Sequence, residues 1–428
     1  MQRRRKLIVI GFIAGAALAS VVTVVVLNLT TGTTPVEHQI HHRFGVTDSE
    51  FVREMGLLLG PPVVSGNSIE HLENGEEIFP AMLEAIAGAR RTITFETYIY
   101  WSGRIGRDFA DALVERARAG IAVHVMLDWV GSQKMDERLL EQMRDAGVEV
   151  ERYHPLDWYT LPRMNNRTHR KLLIVDGRIG FTGGVGIADQ WLGDADEPDN
   201  WRDSHYRVTG PAVAQMQAAF LDNWVETTGR VLTGPDYFPE LQPTGDVPGQ
   251  LFTSGPSGGG DSMQLMYLLS LAAAERSIDL AAAYFVPDAL TREVMINAAK
   301  RGVRVRVIVP GDRIDADIVR HASRADWGPM LEAGIEIYEY APTMFHCKTL
   351  VVDEYLTAVG STNFDNRSFR LNDEGNLNVY DTTFGARMTQ VFERDLSRSD
   401  RVTLEEWRER PWRERATEWL ADRIDGQL

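Results

Sequence analysis

The strongest hydrophobic signal lies at the start of the chain, where Arg3, Arg4, Arg5 and Lys6 are followed by residues 7–29 without one ionisable side chain. At about 1.5 Å per residue, such a run crosses a hydrocarbon core about 30 Å thick, so residues 1–29 are predicted to form a basic tip and a transmembrane helix. A cleaved signal peptide is the rival reading, because Ala17-Leu18-Ala19 resembles a small-residue cleavage site. The apolar run continues through Leu27, beyond the reach of a short signal sequence, and this favours the anchor. With the basic cluster ahead of the span, the positive-inside rule predicts a single-pass protein of the cell membrane. Its N-terminus is cytoplasmic and its later residues lie on the extracytoplasmic side.

After the anchor, helical and alternating patterns succeed one another, and the same order of elements occurs twice. In the first half a helical pattern at residues 77–87 leads into a strand at 92–100, a helix at 109–119, a Gly and a strand at 121–127. In the second half the corresponding segments are 263–274, 277–285, 290–300 and 303–309. Each half continues with a Gly-terminated helix and a strand, then ends in a pair of β-rich runs at residues 171–181 and 348–359. Strands alternating with helices predict an α/β fold of two similar lobes about a pseudo-twofold axis, with mixed, mainly parallel sheets flanked by helices.

The predicted organisation is an anchor at 1–29, a juxtamembrane linker with a short helix at 30–66, and a first lobe at 67–230. A Gly-, Pro- and Ser-rich connector follows at 231–260, then a second lobe at 261–400 and C-terminal helices at 401–428. Near the end, Trp412, Ala416, Trp419, Leu420 and Ile424 recur at helical spacing and are predicted to dock on the globular body.

Composition narrows the function. The chain is 44% hydrophobic and 25% charged, an ordinary globular balance. Its single cysteine, Cys347, excludes a disulfide framework and a Cys-based metal site. With 61 acidic against 45 basic side chains, the net charge of -16 repels polyphosphate at long range, so no nucleic-acid partner is expected.

The most informative residues are His169, Lys171 and Asp176 in the first half and His346, Lys348 and Asp353 in the second, at the same spacing and 177 residues apart. On a strand, residues i and i+2 share a face, so each lobe offers an imidazole beside an ammonium. If the lobes pack about their pseudo-twofold axis, both pairs converge on one pocket suited to a phosphodiester. Lysines neutralise its oxygens, one imidazole attacks phosphorus and the other protonates the departing alkoxide. Asp176 precedes Gly177 in a hairpin-turn pattern and Asp353 occupies the same place, which favours a turn-forming role for both over a catalytic one. Asp203 and Glu374, further along the two halves, are suited to holding an imidazole by its Nδ1 proton. A loop carrying Trp158, Tyr159 and Leu161 precedes the first motif; packing against the domain is the commoner fate of such side chains, and a place at a headgroup interface is the rival reading.

These paired motifs resemble the HKD signatures of the phospholipase D superfamily. The second copy continues Gly360-Ser361-Thr362-Asn363-Phe364-Asp365-Asn366-Arg367-Ser368 and then Asn372 and Glu374, similar to that family's extended signature. The resemblance covers roughly residues 55 to 410 and implies a bilobal α/β fold, metal-free catalysis and a phosphohistidine intermediate. It also implies that His169 is the nucleophile and His346 the general acid, with Ser361 and Asn363 near the phosphate. The first copy departs from the pattern at Gly186, where the family usually has Asn or Ser to hold a phosphate oxygen. The segments around Glu96 to Tyr100, Asp128 to Ser132, Asn200 to Asp203 and Tyr284 to Asp288 look like the bacterial cardiolipin synthase branch. That likeness implies transfer of a phosphatidyl group between two phosphatidylglycerol molecules at a membrane, giving cardiolipin and glycerol. The alternatives are a phospholipase D that forms phosphatidic acid, a nuclease or phosphodiesterase, and a non-catalytic lipid-binding module.

Overall fold

The computed structural model describes residues 2–29, 40–156, 165–255 and 262–422. Strands β1 (Val64–Glu73), β2 (Thr92–Thr97), β3 (Ala122–Asp128), β4 (Glu149–Tyr153), β5 (Leu172–Val175), β6 (Ile179–Gly183) and β7 (Ser204–Thr209) build the first lobe. The second contains β8 (Val247–Ser254), β9 (Ser277–Ala282), β10 (Phe285–Val286), β11 (Arg304–Pro310), β12 (Glu336–Tyr340), β13 (Lys348–Val352), β14 (Leu356–Gly360), β15 (Phe364–Asp365), β16 (Glu374–Tyr380) and β17 (Ser399–Val402). Helices α1 (Gln2–Leu29) and α2 (Ser49–Leu58) precede the lobes, and α3 (Asn74–Ala87), α4 (Arg104–Arg118), α5 (Glu137–Asp145) and α6 (Ala212–Thr228) belong to the first. The second carries α7 (Ser262–Ala272), α8 (Ala289–Lys300), α9 (Asp317–Ala325), α10 (Trp327–Glu332), α11 (Asn366–Arg370) and α12 (Thr382–Leu396), followed by α13 (Leu404–Glu409) and α14 (Trp412–Asp422).

The duplication is present in space as well as in sequence. The first lobe orders its strands β1-β7-β6-β5-β2-β3-β4, and the second repeats this as β8-β16-β14-β13-β9-β11-β12, with β17 added at the edge. The leading strands β1 and β8 pair antiparallel, so the lobes share one 15-stranded sheet and the pseudo-twofold axis passes between them. The sheet is mixed, but the expected mainly parallel character is corrected. Of its 14 strand pairings only β2 with β3, β3 with β4, β9 with β11 and β11 with β12 are parallel. Helical crossovers make those four, whereas the hairpins β5-β6 and β13-β14 and the strands that return beside them are antiparallel. Both hairpins turn on two residues at positive φ, Asp176 (54°) with Gly177 (60°) and Asp353 (54°) with Glu354 (53°), the geometry that matches the twist of adjoining strands.

Apolar faces spaced three and four residues apart seat the helices. In α4 they are Ile105, Phe109, Leu113 and Val114, all buried, and Gly120 beyond the helix end takes φ 84°. Separate cores lie under the helices of each lobe, and a third joins α6 and α12 across the junction between lobes. Two linker segments are more structured than their composition implies. Phe51 and Met55 of α2 are buried in the second lobe's core, and the connector supplies β8 to the middle of the sheet.

At the N-terminus, α1 exposes Val9, Phe12, Ile13, Leu18 and Val21 by 55–78%. Among the described residues no helix is long and apolar enough to cross a membrane. At the other end, the expected docking stripe is corrected: Trp412 and Trp419 are 70% and 56% exposed, while Glu418 and Ala421 are buried. Glu418 accepts a hydrogen bond from Arg410 Nε (2.7 Å) and lies 3.8 Å from Arg324 Nε, so ion pairing decides which face of α14 turns inward. Ile424 lies outside the described residues.

Candidate active site

Both histidines sit where one lobe's chain briefly joins the other's. Thr168 forms a parallel bridge with Asp373 and Arg202 one with Phe345, so each motif enters its strand from a contact with the opposite lobe. The backbone N–H of His169 donates to Asp373 O (2.8 Å), and that of His346 donates to Arg202 O (2.8 Å). These bridges set a crossed pairing. His169 Nδ1 lies 2.9 Å from Glu374 Oε1, and His346 Nδ1 lies 2.7 Å from Asp203 Oδ2. Each imidazole is thus oriented by a carboxylate from the other lobe, which keeps the proton on Nδ1 and leaves Nε2 for chemistry.

The carboxylates are fully buried and held in turn. Ser361 Oγ donates to Glu374 Oε2, while Trp191 Nε1 and the Ser204 N–H each donate to Asp203 at 2.8 Å. Burial would raise both carboxylates, but His169 and Lys171 around Glu374, and His346 and Lys348 around Asp203, hold them below the ordinary range. Burial lowers the imidazoles, His169 to about 4 and His346 to about 3, despite the carboxylates beside them. Both rings are therefore neutral near pH 7. Burial also brings Lys171 down to about 7 and lowers Lys348. Lys171 Nζ donates to His169 O and Lys348 Nζ to His346 O, both at 2.8 Å. Lys348 Nζ also lies 3.2 Å from His346 Nε2, whereas among the described residues no hydrogen bond reaches His169 Nε2.

One cavity of about 430 Å³ is lined by His169, Lys171 and His346, together with Asn363, Tyr98 and Trp191 among others. Its size fits headgroup-scale ligands. Ser361 does not line it and acts through Glu374, whereas Asn363 does, with a buried Oδ1 that lacks a hydrogen-bond partner. Gly186, the departure from the family pattern, has an aromatic explanation. A Cβ there would meet Ile99 Cβ at 2.8 Å and the Trp191 ring at 3.2 Å, so the space of the usual polar side chain is taken. Trp191 and Trp201 each stand 5.3 Å from the His346 ring. The sequence reading gave no role to either tryptophan, because their partners are remote in the chain.

Asp176 and Asp353 sit in the hairpin turns, the role the sequence favours for them, and their place as candidates in the reacting set is corrected. The Asp176 carboxylate accepts from the N–H groups of Arg90, Arg91 and Thr92, and that of Asp353 from Glu275, Arg276 and Ser277. They tie each hairpin to the start of a neighbouring strand, at the end of β5 and β13 away from the histidines. Cys347 packs inward with Ala281, Ile308 and Phe345. Trp158, Tyr159 and Leu161 lie outside the described residues.

Comparison with known proteins agrees with this geometry. Residues 82–224 and again 267–396 match the family described as cardiolipin synthase, PLD-like domain. The chain is 35% identical to the major cardiolipin synthase of Bacillus subtilis, over 81% of this chain and 72% of that one. It is 34% identical to cardiolipin synthase A of Pseudomonas syringae pv. syringae, over 83% and 74%. Among solved structures, phosphatidylserine synthase of Haemophilus influenzae shares the fold with a TM-score of 0.68 at 15% identity, over 88% of this chain and all of that one. On these matches, and with the histidines of both motifs on one cavity, the chain belongs to the cardiolipin synthase family of phospholipase D-like proteins.

Proposed function

We propose that this protein is a membrane-anchored phosphatidyltransferase that moves a phosphatidyl group from one phosphatidylglycerol to the glycerol headgroup of another. The products are cardiolipin and free glycerol. The observation that carries this is the crossed arrangement: two imidazoles on one cavity, each oriented by the other lobe's carboxylate, with Lys171 lining the cavity and Lys348 against the His346 ring.

In the first half-reaction His169 Nε2 attacks phosphorus, the bond to the donor's glycerol oxygen breaks, and a proton from the His346 side joins that oxygen. An N–P bond replaces the P–O bond, giving a phosphohistidine and free glycerol. In the second, the acceptor's hydroxyl loses its proton to His346 and its oxygen displaces His169 from phosphorus. The unencumbered Nε2 of His169 supports it as nucleophile, and Lys348 beside His346 Nε2 supports the other ring as the site of proton traffic. The anionic phosphodiester favours protonation of a ring lying against it, which offsets the lowering that burial imposes on the empty site.

The exposed apolar side chains of α1 and the basic cluster before them support anchoring by residues 7–29 with the lobes on the extracytoplasmic face. Protease treatment of intact spheroplasts tests the topology: digestion of the lobes is expected, and full protection would reverse it.

The activity is tested with labelled phosphatidylglycerol in vesicles without added divalent metal. Cardiolipin and glycerol should appear together, an acid-labile phosphorus adduct should be trapped, and both should vanish in His169→Ala and His346→Ala. Phosphatidic acid as the sole product would make the enzyme a hydrolase instead.

A further inference from the structure

The duplication lets the two walls of the catalytic cavity be compared position by position, and they differ. At the offset of 177 residues that relates the histidines, Asn363 and Arg367 correspond to Gly186 and Gln190, and Arg167 corresponds to Met344. Beside His346 the wall is aromatic, made by Trp191 and Trp201. On the side of His169, whose ring meets Tyr98 edge-on at 5.2 Å, two guanidinium groups, Arg167 and Arg367, line the cavity.

Arg167 is 2% exposed, two residues before His169. Its Nε donates to Asn166 O (2.7 Å) and its Nη2 to His154 O (3.0 Å), but Nη1 has no hydrogen-bond partner. Asp128 Oδ2 is 3.8 Å away, and that carboxylate already accepts from the N–H groups of Val130, Gly131 and Thr168. Arg367 is held by Asn165, through Nη1 to Oδ1 (2.9 Å) and Nη2 to O (3.0 Å), and pairs with no carboxylate within 4.0 Å among the described residues. A single phosphodiester brings one negative charge, and Lys171 already lines the cavity that would hold it, with Lys348 against the His346 ring. The two arginines are cation capacity beyond what the reacting phosphate needs, in a geometry suited to another phosphate.

We infer that Arg167, assisted by Arg367, binds the phosphate of the acceptor lipid while that lipid's headgroup hydroxyl attacks the phosphohistidine. The inference rests on the transferase reading above and deepens it. A three-carbon glycerol bridge puts six bonds between two phosphorus atoms, which when extended span about 7 Å, twice the three-bond step between neighbouring Cα atoms. Arg167 lies two residues before His169 and lines the same cavity. Holding a phosphate there presents the acceptor hydroxyl, rather than water, to the reacting phosphorus.

The test uses the full-length protein with phosphatidylglycerol vesicles and two acceptors: phosphatidylglycerol itself, read as cardiolipin, and ethanol, which has no phosphate, read as phosphatidylethanol. Arg167→Met, which copies the other lobe, should lower cardiolipin formation at least about tenfold more than phosphatidylethanol formation, as loss of a charge-assisted contact to one acceptor only requires. Most of that loss should appear in KM for the acceptor lipid, and Arg167→Lys should recover part of it. Arg367→Gln, at a less buried position, should shift the ratio of products the same way. Equal losses with both acceptors, or an unchanged ratio in both the Arg167→Met and Arg367→Gln variants, would overturn the inference while leaving the transferase reading intact. Wild-type protein that transfers to neither acceptor would instead remove the transferase reading itself.

Discussion

Replacing Glu374 with Gln isolates what the buried carboxylate does for His169, because the side chain keeps its shape, loses its charge and exchanges one of its two accepting oxygens for a donating NH2. Glu374 is 0% exposed, and its two oxygens serve His169 Nδ1 and Ser361 Oγ. A buried hydrogen bond to a charged group is worth about 1.5–3 kcal/mol, which corresponds to roughly 10- to 150-fold in rate if the imidazole relies on it in the transition state. A second effect adds to this. If the amide NH2 turns toward Nδ1, the ring must carry its proton on Nε2 and cannot attack, and the analogous change in a Ser-His-Asp triad costs about 10⁴. The expected loss in turnover is therefore between about 10² and 10⁴. Rapid-quench trapping of the phosphohistidine should show its formation slowed to the same degree, with the protein still cooperatively folded by thermal denaturation. Turnover within about threefold of wild type would refute the assignment of Glu374 as the group that orients the nucleophile.

The pH dependence of kcat/KM is expected to follow from Lys171 and the nucleophile His169, the motif pair of the first lobe. Lys171 is protonated below about 7, so activity falls as pH rises through that value, and His169 is neutral above about 4, so activity falls as pH drops through it. Measured on a soluble short-chain phosphatidylglycerol, the profile should be flat between these limits, and Lys171→Arg should move the alkaline limb upward; an unmoved limb would assign it to another group. Asp176→Ala removes the acceptor of three backbone N–H groups far from the chemistry, so it should cost about 1–2 kcal/mol in denaturant unfolding with kcat nearly unchanged. A large loss of kcat in a folded Asp176→Ala variant would return that residue to the reacting set.

Much of this architecture was readable from local pattern. The twofold recurrence of helix, Gly and strand gave the lobes, and the paired His-x-Lys motifs gave the centre of the site, because periodicity and spacing are local properties of a chain. The direction of strand pairing was not readable, since an alternating strand carries the same pattern whichever way its neighbour runs. Nor was β8, whose Gly- and Pro-bearing stretch gains its stability from pairing with β1 and β16 rather than from its own composition. Asp203 and Glu374 stood out as partners for the histidines, but which served which depends on the bridges of Thr168 with Asp373 and Arg202 with Phe345, contacts made across the whole fold. Arg167 and the two tryptophans around His346 gained significance only when the cavity was compared across its axis.

The crossed pairing of His169 with Glu374 and His346 with Asp203 means that neither half of this polypeptide is a smaller working catalyst. A one-lobed ancestor with this geometry could act only as a symmetric couple of chains, each lending its partner the group that steers the ring. Joining the two into one gene removed the requirement that they stay identical. With identity no longer required, the surroundings of the two rings differ: Trp191 and Trp201 stand beside His346, while Arg167 and Arg367 have no arginine counterparts in the other half.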